Sequence, residues 1–159
     1  MDGATMVDSA GVPSPGEVEN VVRAMVPALA FIGIEVAEVG HGHVRTRLPH
    51  AAQNGNHIGT VYAGVLFSFL EATGGALVLV SFDVARYVPV IVEGTIRYAR
   101  PVTSAIECDL AMTTDEIDAV HNMLEDDRKA SWTLVASAHA EDGTLACEAD
   151  LVYRFRTPR

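Results

Sequence analysis

Between Val61 and Phe82 the chain carries one charged side chain, Glu71, in an otherwise apolar run. An unpaired carboxylate in apolar surroundings is costly to bury, and such groups concentrate at functional sites. The chemistry open to it is activation of a water or direct attack on a carbonyl, with an acyl anhydride as intermediate. Seven residues earlier stands Gly64, near the predicted start of a helix. The first backbone N–H groups of a helix lack acceptors and carry the positive end of its dipole, so they suit a developing oxyanion. A glycine there would let a substrate carbonyl approach closely. At 1.5 Å per residue, however, Gly64 and Glu71 lie roughly 10 Å apart along the axis. One helix cannot bring both groups to one carbonyl, and a site that uses both takes one of them from a second subunit. Asn56, in the loop before the helix, is either an orienting group for water or carbonyl, or a cap on its own turn.

Other chemistry is poorly provided for. The six histidines are scattered and form no HExxH-like pair. Cys108 and Cys147 sit in alternating apolar patterns without CxxC or Cys/His spacing, so they read as core thiols in a reducing, cytoplasmic setting. Neither a metal nor a cofactor is expected. A net charge of −10 with only 11 Lys and Arg argues against a nucleic-acid or anionic-membrane surface, although it leaves room for a small anionic ligand at a local basic patch. The apolar run is long enough to span a bilayer, but Glu71, Ser68, Gly64, Gly74 and Gly75 dilute it and no Lys/Arg cluster flanks it. The expectation is a helix buried on every side in a domain without a membrane segment.

The elements that must position these residues follow from periodicity. Residues 1–13 read as a disordered tail and 14–159 as one domain. Ser14-Pro15-Gly16-Glu17 is a capping box with a first-turn proline, opening a helix whose Val18, Val21, Val22 and Met25 share a face until Pro27. From Phe31 the period becomes two, with Ile32, Ile34 and Val36 on one parity, and Gly40-His41-Gly42 turns the chain into a second strand with Val44, Thr46 and Leu48 inward. After the apolar helix, Val88–Arg100 reads as a strand with Val90, Val92, Ile96 and Tyr98 on one face. A short Pro-Val-Thr-Ser link, short enough for a hairpin, leads to Ile106, Cys108, Leu110 and Met112. Ile117, Val120 and Leu124 mark a surface helix, and two further strands flank Asp142-Gly143. Runs of strands with few helices indicate α+β: one curved antiparallel sheet wrapped around one long central helix.

The stretch Asn56–Glu71, NHIGTVYAGVLFSFLE, resembles the signature of hot-dog-fold acyl-CoA thioesterases, on the PaaI-like or uncharacterised thioesterase-like side of that superfamily. Those proteins read Asn, a short loop, His-Gly-Gly, then an acid seven residues after the second glycine. Here Tyr62-Ala63-Gly64 stands where His-Gly-Gly usually does, and Glu71 takes the acid position. Tyr98-Ala99-Arg100-Pro101 is similar to the family's strand that ends in an aromatic and a proline. Where some relatives carry a Ser or Thr early in that strand, this chain has Ile91. The resemblance implies the hot-dog fold, a homodimer or a dimer of dimers, and hydrolysis of an acyl-CoA or acyl-carrier thioester. Glu71, Asn56 and Gly64 are its catalytic candidates, and Tyr62, Ala63, Ser68 and Arg100 its substrate-binding candidates. A non-catalytic acyl-CoA sensor or scaffold and a hot-dog dehydratase or hydratase are the competing readings. Release of free thiol separates the first from the esterase.

Overall fold

The computed structural model describes residues 11–156. Most of the expected N-terminal tail, and Thr157-Pro158-Arg159, lie outside them. The chain opens with α1 (Pro15–Met25), capped as expected: Ser14 Oγ accepts from Glu17 N while the Glu17 carboxylate accepts from Ser14 N at 2.8 Å. Val18 and Val22 are buried, but Val21 and Met25 are exposed, so the apolar face is narrower than its periodicity suggests. α2 (Pro27–Ile32) follows directly.

Here the expected strand from Phe31 is wrong. Pro27 stands at the first helical position and Gly33, at φ 74°, ends the turn in the left-handed conformation, so Ile32 is helical and extended backbone begins only at β1 (Glu35–Gly40). Ile32, Ile34 and Val36 are nonetheless all buried. α1 is clamped to this entry: Arg23 donates to the Ile34 carbonyl at 2.6 and 3.0 Å, and Val36 N donates to Glu19 Oε2 at 2.9 Å.

β1 pairs with β2 (His43–Leu48) as the predicted hairpin. α3 (Ala63–Ser81) is the long apolar helix. β3 (Val88–Tyr98), β4 (Ile106–Ala111), α4 (Thr114–Asp127), β5 (Lys129–Ala140) and β6 (Leu145–Arg156) complete the chain. The six strands form one antiparallel sheet in the order β1-β2-β4-β5-β6-β3. The short link after β3 is therefore no hairpin: among the described residues β3 pairs with β6 alone, at the sheet's end, and the chain crosses over β6 and β5 to reach β4. A bulge at Val92 also shifts the parity of β3, so Val90 and Val92 face outward and Ile91 and Ile96 pack toward the core.

α3 lies across the inner face of the sheet. Phe69, Leu70, Ala76, Leu77 and Val78 are fully buried, as is Thr73, whose hydroxyl meets that of Thr46 on β2 at 2.6 Å. The helix is not buried on every side: Gly64, Ser68, Glu71, Gly75 and Leu79, spaced by three or four residues, form a half-exposed stripe. Tyr153 on β6 fixes its middle turn by donating its hydroxyl to the Glu71 carbonyl at 2.9 Å. That contact needs Gly74, where a Cβ would come within 2.2 Å of the Tyr153 hydroxyl and 3.0 Å of Leu134.

Gly74→Ala should thus destabilise the fold by about 1–3 kcal/mol despite alanine's better helix propensity. Tyr153→Phe in the same chain should recover part of the loss. Denaturant melts of the four-member cycle check this, and additive effects would contradict the contact.

Candidate active site

The start of α3 is held from three sides. Tyr62 N donates to Asn54 O at 2.8 Å, Val61 N to Val102 O at 2.8 Å, and the Tyr98 hydroxyl to the Ala63 carbonyl at 3.1 Å. Val65 and Leu66 N–H both return to the Tyr62 carbonyl, and the N-cap side chain contributes no bond. Among the described residues the amides of Ala63 and Gly64 have no acceptor, which leaves two preorganised donors at the positive end of the helix. Why position 64 is glycine differs from the expectation. The Tyr62 ring folds back over it, and a Cβ there would meet Cε1 at 2.6 Å. The exposed Tyr62 side chain thus covers this turn, and an incoming carbonyl must displace it or stack beside it.

Asn56 is committed to its own loop. Its Nδ2 donates to Thr60 Oγ1 at 2.8 Å, and its Oδ1 accepts from Ile58 N and Thr60 N at 3.1 Å. In this arrangement it shapes the turn that delivers Tyr62, the plainer of its two sequence readings. Ser68 donates back to the Gly64 carbonyl at 2.9 Å. Arg100 is exposed and lines a separate hollow with Asp142 and Glu141 at the β5–β6 turn. Asn56, Tyr62, Ala63, Gly64 and Ser68 therefore cluster at the head of α3, while Glu71 lies two turns down and Arg100 lies apart.

Glu71 has no hydrogen-bond or ion-pair partner for its carboxylate among the described residues, and burial alone raises its pKa above the ordinary 4.5. It opens into an apolar groove of about 370 Å3, walled by Val22, Met25 and Leu29 of α1–α2, Leu79 of α3 and Val88-Pro89 of β3. The α1–α2 wall carried no chemical signal in the sequence, because its residues read only as a core-facing stripe. Tyr153 and Tyr98 were missed as positioning groups for the same reason: each occupies an ordinary strand parity. Cys108 and Cys147 are buried free thiols, pushed up by burial to about 12 and about 11, far from a reactive thiolate.

The comparisons with known proteins agree with this architecture. A protein of unknown function from Pseudomonas aeruginosa, described as a probable thioesterase, is 32% identical and superposes with a TM-score of 0.84, covering 92% of this chain and 99% of its own. A mutant thioesterase from the same organism (15% identity, TM-score 0.71, 92% and 96% covered) and a thioesterase from Haemophilus influenzae (16%, 0.66, 88% and 90%) share the fold. No curated protein matches in sequence. Fold and helix signature define a member of the hot-dog thioesterase superfamily. Within it, residues 17–153 match the model of the domain of unknown function DUF4442, and the chain belongs to that family.

The raised pKa of Glu71 has a sign that can be checked. Because the folded-state value exceeds the unfolded one, the contribution to stability is complete below the unfolded pKa and is lost as pH rises through the folded pKa. Glu71→Gln should therefore melt higher than the wild type at neutral pH. Thermal melts should show that advantage shrinking on acidification and vanishing below 4.5, the ordinary glutamate value.

Proposed function

We propose that this protein hydrolyses an acyl thioester, with coenzyme A or a carrier as the thiol, as a homodimer or a dimer of dimers. The observation that carries the reading is the Glu71 carboxylate, without a partner among the described residues, at the lip of an apolar groove on a helix whose head presents two amides likewise without acceptors. The acyl group would lie in the groove, whose volume is at the low end of the ~300–1,000 Å3 range of ligand pockets, so the reading favours an acyl group of moderate size. The amides of Ala63 and Gly64 would polarise the thioester carbonyl, and Glu71 would take a proton from the attacking water or attack directly.

Spacing argues that Glu71 and the amides serving one carbonyl come from different subunits. Two features favour a dimer on independent grounds. β3 ends the sheet as an eleven-residue strand with one unpaired side and with Val88, Val90, Val92 and Tyr98 exposed. The half-exposed stripe belongs to α3, whose Phe67 packs against Gly94 of this strand.

A second reading, binding without turnover, is favoured by the Tyr62 ring over Gly64 and by Asn56 spending its side chain on its own loop. Release of free thiol from a panel of acyl-CoAs decides between the two. The expected result is turnover, with kcat/KM reduced about 100-fold or more by Glu71→Gln. The rate should rise with pH along a limb lying above 4.5, since the base must be ionised and burial raises its pKa. Binding with no thiol released would favour the second reading.

A further inference from the structure

Charged side chains on this sheet follow a rule with one exception. Across the strand registers, Glu35 faces Arg47, Glu38 faces Arg45, Asp109 faces Arg45, Glu107 faces Arg47, and Glu148 faces Arg97. Lys129 on β5 instead faces Arg156 on β6. It is the like-charged pair among the described registers, and like charges directly opposite each other are destabilising. Arg154, two residues along on the same solvent-facing side, and Arg128, the residue after α4, enlarge the cluster. Four of the chain's 11 Lys and Arg thus gather in one place on a protein of net charge −10, and none has an ion-pair partner among the described residues. Arg128 and Lys129 have a local reason to be there, since cations favour the C-terminal end of a helix. Arg154 and Arg156 come from β6 and have none.

The four line a concavity of about 740 Å3 in which Met123 and the stems of the cations themselves are the exposed apolar surface, Ala130 and Phe155 being buried beneath, and Asp127 is the carboxylate in its lining. A basic rim around an apolar surface fits a flat base bearing several phosphates better than it fits inorganic phosphate. The site lies one strand away from the Glu71 groove. Val88, which edges that groove, is the register partner of Arg156, and Val90 is that of Arg154.

We propose that Arg128, Lys129, Arg154 and Arg156 bind the phosphorylated nucleotide end of a coenzyme A thioester whose acyl end lies toward Glu71. This rests on the thioesterase reading for its link to Glu71, while the anion site itself stands on the charge layout. A bound anion would offset the repulsion between Lys129 and Arg156.

Titration calorimetry of the full chain with adenosine 3′,5′-bisphosphate tests the site without any turnover. Wild type should bind, more weakly as salt rises. Arg154→Gln/Arg156→Gln should bind at least about tenfold more weakly, the scale of one lost charge-assisted hydrogen bond. Arg154→Lys/Arg156→Lys should keep most of the affinity. Arg156→Glu, which makes the Lys129 pair complementary, should lose binding while its Tm holds or rises, so the loss cannot be put down to misfolding. No binding by wild type, or equal binding by the Gln variant, overturns the proposal. In the kinetic arm, the preference for acyl-CoA over phosphate-free acyl-pantetheine should fall by about tenfold or more in the Gln variant. An effect seen only with an acyl-carrier protein would assign the patch to that protein and overturn the nucleotide. Nucleotide binding without thiol release would sink the hydrolase reading alone, and thiol release with an unaltered preference would sink the site alone.

Discussion

The rest of the structure turns on the hydrogen bond from Tyr153 to the Glu71 carbonyl, which nails the one acid of an apolar helix to the inner face of the sheet. The bond needs Gly74, since any side chain there would meet the tyrosine hydroxyl. Together with the Thr46–Thr73 contact two residues along, it fixes both the depth and the rotation of α3. With that rotation set, Gly64, Ser68, Glu71, Gly75 and Leu79 are the residues left facing outward. The acid is therefore held at the boundary between core and groove, desolvated enough to raise its pKa yet open to a ligand. The same rigidity keeps it two turns from the helix head.

Much of this was legible in residue order. The apolar run with its lone acid, the capping box at Ser14, the Gly40-His41-Gly42 turn and the alternating strands each reflect a local rule that tertiary contacts left intact. The misreadings arose where one local signal overrode another or where strand pairing set the outcome. Ile32, Ile34 and Val36 alternate and are buried, but Pro27 and Gly33 make the first of them helical. Val90 and Val92 look inward until a bulge, invisible in composition, reverses their parity. The β3–β4 link is short enough for a hairpin, yet strand order depends on which edges pair, and length does not encode that.

The candidate site was less legible than the fold. Glu71 and Gly64 announce themselves by type and spacing, but the groove beside Glu71 is assembled from α1, α2, α3 and β3, segments far apart in sequence. Tyr98 and Tyr153 act through their hydroxyls, whereas their positions read only as strand parity. Arg128 and Lys129 stand out in the sequence as candidates for coenzyme A phosphates, but only the β5–β6 register joins them to Arg154 and Arg156. Two of its members lay in the sequence as scattered terminal charges. The functional proposals therefore rest on tertiary geometry, with the superfamily membership supplying the class of chemistry.

The central claim is that one chain supplies the helix head and its partner supplies Glu71. Complementation in mixed dimers measures this most directly. Glu71→Gln removes the acid, and Ala63→Pro removes an amide donor at the first helical position, where proline is tolerated. Each variant alone should release little thiol from acyl-CoA. After unfolding and refolding an equal mixture, half the molecules are hybrids with one intact composite site, so roughly a quarter of wild-type activity should return. A mixture no more active than its parts, with hybrid dimers shown to have formed, would contradict the account.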